Sequence, residues 1–201
     1  MRAATEAMEI IGLERVVFIP SQNPPLKKEN IAPASDRFRM VEIAVADNPR
    51  FMVSDIEARR EGTSFTAHTI LELRSQMPEG EFYFIMGMDT FLDLPCWHMP
   101  QSLMDETNPV VLLRPPFNAD SVFNSPFIDT EQSINLDFTE GRVNVQLKNG
   151  RDLILLQIPP IDISSTMIRN HLKYGRSIKY LVPEAVEEYI QSEGCGYIKE
   201  V

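Results

Sequence analysis

The chain has 201 residues, 43% of them hydrophobic and 24% charged, with a net charge of -10. That composition excludes disorder, and the length is enough to bury a core without metal or disulfide staples. The negative balance speaks against broad binding to nucleic acid or anionic membrane, so a polyanion would have to be held at a local basic site. No window approaches the ~18 consecutive apolar residues of a membrane span. Cys96 and Cys195 show neither metal spacing nor a disulfide framework, and nothing at the N-terminus resembles a secretory signal. Together these predict a reducing, cytoplasmic location.

Read in order, the chain alternates helices and short strands. Ala3, Ala4, Ala7, Met8 and Ile11 supply the apolar face of a helix that begins at Met1 and stops at Gly12. A strand follows at Val16–Ile19, ended by Pro20. Helix then buried strand reads as a βαβ unit without its first strand. Residues 21–35 form a polar, proline-rich loop. Asp36 is expected to cap a helix through about Asp47, with Phe38, Val41 and Val45 on one stripe. Next come a strand at Phe51–Val53 and a helix over about 67–77, with Ile70, Leu71 and Leu73 apolar. Phe82–Met86 is nearly all apolar, as expected of a strand buried on both faces, and Gly87 ends it before a short helix near Asp89.

Pro109–Arg114 reads as a further buried strand, and residues 115–142 as irregular chain. Asn149-Gly150 predicts a hairpin between Val143–Leu147 and Leu153–Ile158. Ser164 or Ser165 caps a helix that closes at Gly175. Pro183 opens a last helix with Val186, Tyr189 and Ile190 facing inward. The alternation implies an α/β, Rossmann-like doubly wound parallel sheet. It is expected to fold as one domain over residues 1–201, with a small C-terminal helical part at about 164–201.

Ligands of such sheets sit beyond the carboxyl ends of the strands. Four segments fall there. The loop Ile19–Lys28 is stiffened by prolines and tipped by Lys27 and Lys28; it is either a solvated loop or a lysine held over phosphate. Gly87-Met88-Asp89 lets a ligand approach the backbone, with Asp89 free to bind ribose hydroxyls, to help hold a metal, or simply to cap a helix. Trp97 nearby either stacks on a flat ring or packs in the core. Glu61–Thr66 is a polar turn whose amides and hydroxyls could read a small carboxylate or amide, or serve as ordinary capping. Ile163-Ser164-Ser165-Thr166-Met167-Ile168-Arg169 gathers hydroxyls, free N–H groups and an arginine at a helix N-terminus, an arrangement suited to phosphate. A capped helix bearing a surface arginine would read the same way.

Taken together and in order, these segments resemble the bacterial nicotinate mononucleotide adenylyltransferases, nucleotidyltransferases defined by a His-x-Gly-His motif. The resemblance rests on Phe18-Ile19-Pro20 with Pro24-Pro25-x-Lys27, on Arg37-x-x-Met40, and on Ile56-Glu57-x-x-Arg60 with Ser64-Phe65-Thr66. It continues through Phe84-Ile85-Met86-Gly87-x-Asp89 with Trp97, Arg114-Pro115, and Ile163-Ser164-Ser165-Thr166-x-Ile168-Arg169. It implies transfer of an adenylyl group from ATP to nicotinate mononucleotide in NAD biosynthesis, with Mg²⁺ accompanying ATP. Lys27 and Arg169 would be catalytic. Gly87, Asp89, Ser165, Thr166 and Arg169 would bind ATP. Ser64, Phe65, Thr66, Trp97 and Arg114 would bind the mononucleotide. No nucleic-acid or membrane partner is implied, and a homodimer is an assembly to test.

The chain also departs from the family pattern. The first strand, its Gly-rich phosphate loop and the His-x-Gly-His motif have no counterpart in residues 1–201, and Leu26 stands where the family loop has histidine. His68, His98 and His171 belong to other segments and do not replace the motif. In a doubly wound sheet the first strand is central, and losing one preorganised donor costs ~10²–10³ in rate. The sequence therefore predicts a longer cellular protein, with about 20 further residues for one strand and one loop. The rival readings are a non-catalytic nucleotide-binding remnant, and an adenylyltransferase for nicotinamide mononucleotide or pantetheine phosphate. A purely structural α/β domain is the third.

Overall fold

The computed structural model describes residues 1–25, 32–129 and 136–193. The helices are α1 (Arg2–Ile11), α2 (Ala34–Val45), α3 (Thr66–Gln76), α4 (Met88–Asp93), α5 (Pro100–Glu106), α6 (Ser165–Lys173) and α7 (Glu184–Glu193). The strands are β1 (Val16–Phe18), β2 (Phe51–Val53), β3 (Tyr83–Gly87), β4 (Asn108–Leu113), β5 (Arg142–Gln146) and β6 (Asp152–Gln157). The chain divides into two compact units. One comprises Met1, Glu14–Ser64 and Asp162–Val201, the other Arg2–Leu13 and Phe65–Ile161. Among the described residues no helix is long and apolar enough to cross a membrane.

In the first unit β1 and β2 pair in parallel, with Val17 opposite Met52. Its core gathers Ala32, Ile178, Val186 and Ile190, against which α2 packs Met40, Ile43 and Ala44 and α6 packs Ile168 and Leu172. That packing gives α6 a fixed seat while leaving its first turn in solvent. The stripe expected on α2, Phe38, Val41 and Val45, is corrected here: of the three only Val45 is buried, because α7 covers the neighbouring face instead. Asp36 does not cap α2 either. Pro33, with extended backbone and no N–H to place, precedes the helix, which starts three residues earlier than expected. Asp36 then sits in the first turn, where the helix dipole favours it, and accepts a hydrogen bond from the Tyr189 hydroxyl at 3.3 Å.

In the second unit a four-stranded sheet runs in the order β3-β4-β6-β5. β3, β4 and β6 are parallel, and the hairpin expected at Asn149-Gly150 adds β5 antiparallel to β6. Ala7 of α1 is fully buried against Val110, Ile154 and Leu156. Gly12 ends α1 with φ +81, donating its N–H to the Met8 carbonyl, a left-handed stop that glycine adopts without steric cost.

The parallel strands therefore occupy two sheets rather than one. Among the described residues, β1 pairs only with β2, and β3 only with β4. This edge position corrects the expectation that Phe82–Met86 is buried on both faces: of β3's residues only Met86 is buried. The inner strands β4 and β6 carry the fully buried runs instead. Leu71 of α3, expected on the apolar face, is exposed, whereas Ile70 and Leu73 are buried.

Candidate active site

The candidate segments divide between the two units. The first turn of α6 belongs to the first. Ser164, not Ser165, is the cap: its Oγ accepts the Met167 N–H at 3.1 Å. One of the helix's orphan donors is thereby satisfied, and Ser165 and Thr166 remain exposed. Arg169 lies one turn on and donates to the Thr166 hydroxyl at 3.1 Å. No acidic side chain stands in this turn. Hydroxyls, the positive end of the helix dipole and a guanidinium thus share one exposed turn, which is phosphate-binding chemistry.

The proline-rich loop is anchored in the same unit. Asn23 N–H donates to Ser64 Oγ at 3.1 Å, and Ser64 N–H donates to the Asn23 carbonyl at 3.0 Å. Ser64 is buried, so its hydroxyl holds the loop against the 62–64 turn. Arg37 grips both shoulders of the loop, donating from Nε to the Ala32 carbonyl at 3.2 Å and from Nη2 to the Gln22 carbonyl at 3.1 Å. Lys27, expected over phosphate, lies outside the described residues. Arg37 entered the sequence reading only as part of a motif. Nothing in local spacing tells that a guanidinium in a helix binds carbonyls 5 and 15 positions away.

In the second unit Gly87, Asp89 and Arg114 form a corner where β3 passes into α4. Arg114 Nη2 donates to Asp89 Oδ2 at 2.8 Å. A Cβ on Gly87 would stand 2.5 Å from Asp89 Oδ1, so any side chain at position 87 would push the carboxylate out of this position. Asp89 Oδ1 is itself buried and accepts no hydrogen bond. An acceptor withheld from both protein and solvent is costly to leave unmade, and a donor brought by a ligand would satisfy it.

Aromatic rings surround the start of α3. Phe65 precedes the helix and no side chain caps it, so the first-turn N–H groups lack the usual hydroxyl or carboxylate partner. Phe65 stacks on His98 with ring centroids 4.3 Å apart. Trp97 meets Phe84 of β3 edge-on at 6.3 Å and is half-buried, with part of its ring free for a ligand. Thr66 opens the helix. Met99, just beyond, has φ 50, strained for a residue with a side chain, and turns the chain into α5.

Comparison with known proteins now decides the family. A model described as cytidylyltransferase-like matches residues 1–171. A protein of Syntrophotalea carbinolica named probable nicotinate-nucleotide adenylyltransferase is 40% identical over 196 residues, covering 96% of this chain and 88% of that protein. The chain belongs to the nicotinate-nucleotide adenylyltransferase family. A relative of the same name from Geobacter metallireducens is 38% identical over 96% of this chain and 89% of its own. A solved nicotinic acid mononucleotide adenylyltransferase of Plasmodium falciparum, complexed with NaAD, superposes with a TM-score of 0.69 at 16% identity, covering 98% of this chain and 93% of that one. That likeness establishes the Rossmann-like α/β fold. The segments that carried the sequence resemblance are the ones that build the α6 turn, the Gly87 corner and the α3 start.

Proposed function

We propose that the chain transfers the adenylyl group of ATP to nicotinate mononucleotide, giving deamido-NAD and pyrophosphate. The observation that carries this reading is the Gly87–Asp89–Arg114 corner, with its unpartnered buried oxygen, in a chain 40% identical to a nicotinate-nucleotide adenylyltransferase. A 5′-phosphate oxygen of the mononucleotide attacks the α-phosphorus of ATP. That P–O bond forms as the bond to the β-phosphate oxygen breaks, and pyrophosphate leaves. No covalent enzyme intermediate is required, so the protein's work is positioning and charge stabilisation.

Ser165, Thr166 and Arg169 hold ATP phosphates at the α6 turn, joined by Lys27 from the loop that Arg37 and Ser64 anchor. Asp89 Oδ1 accepts a nucleotide ribose hydroxyl, and Gly87 makes the room. Phe65 and Trp97 frame the nicotinate ring, Thr66 and the uncapped N–H groups of α3 take its carboxylate, and Arg114 faces the mononucleotide side. Among the described residues no group of three or more His, Cys, Asp or Glu can hold a metal. Mg²⁺ would arrive with the triphosphate and would supply charge neutralisation there. A cytoplasmic setting agrees with this chemistry, since ATP is at hand there.

The test is product chemistry with the protein purified from its own cells, supplied with ATP, Mg²⁺ and either the acid or the amide mononucleotide. Deamido-NAD formed faster than NAD is the expected result. Equal or faster turnover of the amide would move the chain to the nicotinamide reading, and no dinucleotide from either would leave a binding remnant.

A further inference from the structure

Two histidines lie outside the roles given above. His68 is the third residue of α3, and His98 follows Trp97 in the turn before α5. They are 30 positions apart in sequence, yet their Nε2 atoms are 3.2 Å apart and their rings cross at 82°. Both are exposed. Phe65 braces them, stacked on His98 and edge-on to His68 with centroids 5.7 Å apart. The left-handed residue Met99 fixes the turn immediately beyond His98.

With both rings neutral, one Nε2–H donates to the other Nε2. The same spacing also suits a shared cation. Two imidazole nitrogens about 2.0–2.1 Å from Zn²⁺ at a tetrahedral angle stand about 3.3 Å apart. The pair stands at nearly that separation. Non-local contacts hold both rings, so little side-chain freedom remains to be lost on chelation.

We propose that His68 and His98 form a two-nitrogen site for a late first-row divalent cation such as Zn²⁺. Neutral imidazole suits Zn²⁺, Ni²⁺ and Cu²⁺ and not the hard, oxygen-seeking Mg²⁺, so the site is distinct from the ion that travels with ATP. On binding, the proton between the two Nε2 atoms is lost from that position and the same ring takes one up at Nδ1. Both rings stay neutral and present a lone pair at Nε2, so the net proton count is unchanged. Among the described residues no third His, Cys, Asp or Glu completes the set, so water fills the other positions and the ion exchanges freely. A bound ion ties the turn carrying Trp97 to the first turn of α3.

Calorimetric titration of the full chain with Zn²⁺ tests this independently of any reaction. One ion per chain is expected. His68→Ala and His98→Ala each weaken binding by about tenfold or more, since either removes half of the chelate. Cys96→Ser and His171→Ala leave it unchanged. Both rings are exposed, so each variant keeps the metal-free melting temperature, and Zn²⁺ raises that temperature only where both histidines are present. The Cu²⁺-loaded protein shows hyperfine coupling to two ring nitrogens, and each variant to one. Binding as tight in either histidine variant as in the parent chain, or binding lost in Cys96→Ser, would overturn the proposal.

Discussion

At the start of α6, Arg169 touches a hydroxyl three residues back and its neighbours Ser165 and Thr166 are exposed. At Gly87 the reverse holds: Asp89 is clasped by an arginine 25 positions away, and its other oxygen is sealed off with no partner. The first region displays donors that solvent satisfies until an anion arrives. The second stores an unmet acceptor inside a non-local ion pair. Substitutions in the first should therefore change affinity while leaving the fold alone. Those in the second should change the geometry of the corner as well.

The largest effect belongs to the exposed turn. Arg169→Ala is expected to weaken ATP binding by about 10–100-fold, the range of lost charge-assisted hydrogen bonds, with stability within about 0.5 kcal/mol of wild type. Calorimetry and thermal melting check the two halves of that statement; a large drop in melting temperature would erase the contrast. Next comes Gly87→Ala. Its new methyl meets a carboxylate oxygen at 2.5 Å, and the carboxylate can swing away. Nucleotide affinity should fall about tenfold while the chain stays folded, and a crystal structure should show the Asp89–Arg114 pair broken. Arg37→Ala comes third, expected to weaken ATP binding a few-fold by freeing both shoulders of the loop, with faster proteolysis between residues 22 and 32.

The smallest effect is a pH dependence at the opposite end of β3 from Gly87. Burial, and a hydrogen bond to Glu81, raise the Tyr83 phenol above its ordinary value of 10.0. The fold thus favours the neutral phenol. Its contribution is fully present below the ordinary value and is lost as pH rises past the folded one. Denaturant unfolding at about pH 9 and about pH 11 should show the alkaline loss, and Tyr83→Phe should shrink it.

The same contrast explains what could be read from the sequence. The α6 turn was legible because every contact in it spans three or four residues: Ser164 caps Met167, and Arg169 reaches Thr166. The Asn149-Gly150 hairpin and the Gly12 stop were legible for the same reason. The Gly87 corner was legible only as a motif. That this glycine makes room for a carboxylate, and that the carboxylate is held by an arginine 25 residues on, is set by the fold. The role of Arg37, the pairing of His68 with His98, and the edge position of β3 had no local signal. Periodicity reports apolar content, and β3 is as apolar as an inner strand while pairing, among the described residues, on one side only.

The most direct measurement is the ATP-induced change in backbone amide resonances of the isotopically labelled chain. The account predicts the largest shifts at Ser165, Thr166 and Met167, with a second set at Gly87 to Asp89. Binding of ATP without movement of the 165–167 amides would contradict the assignment of its phosphates to the start of α6.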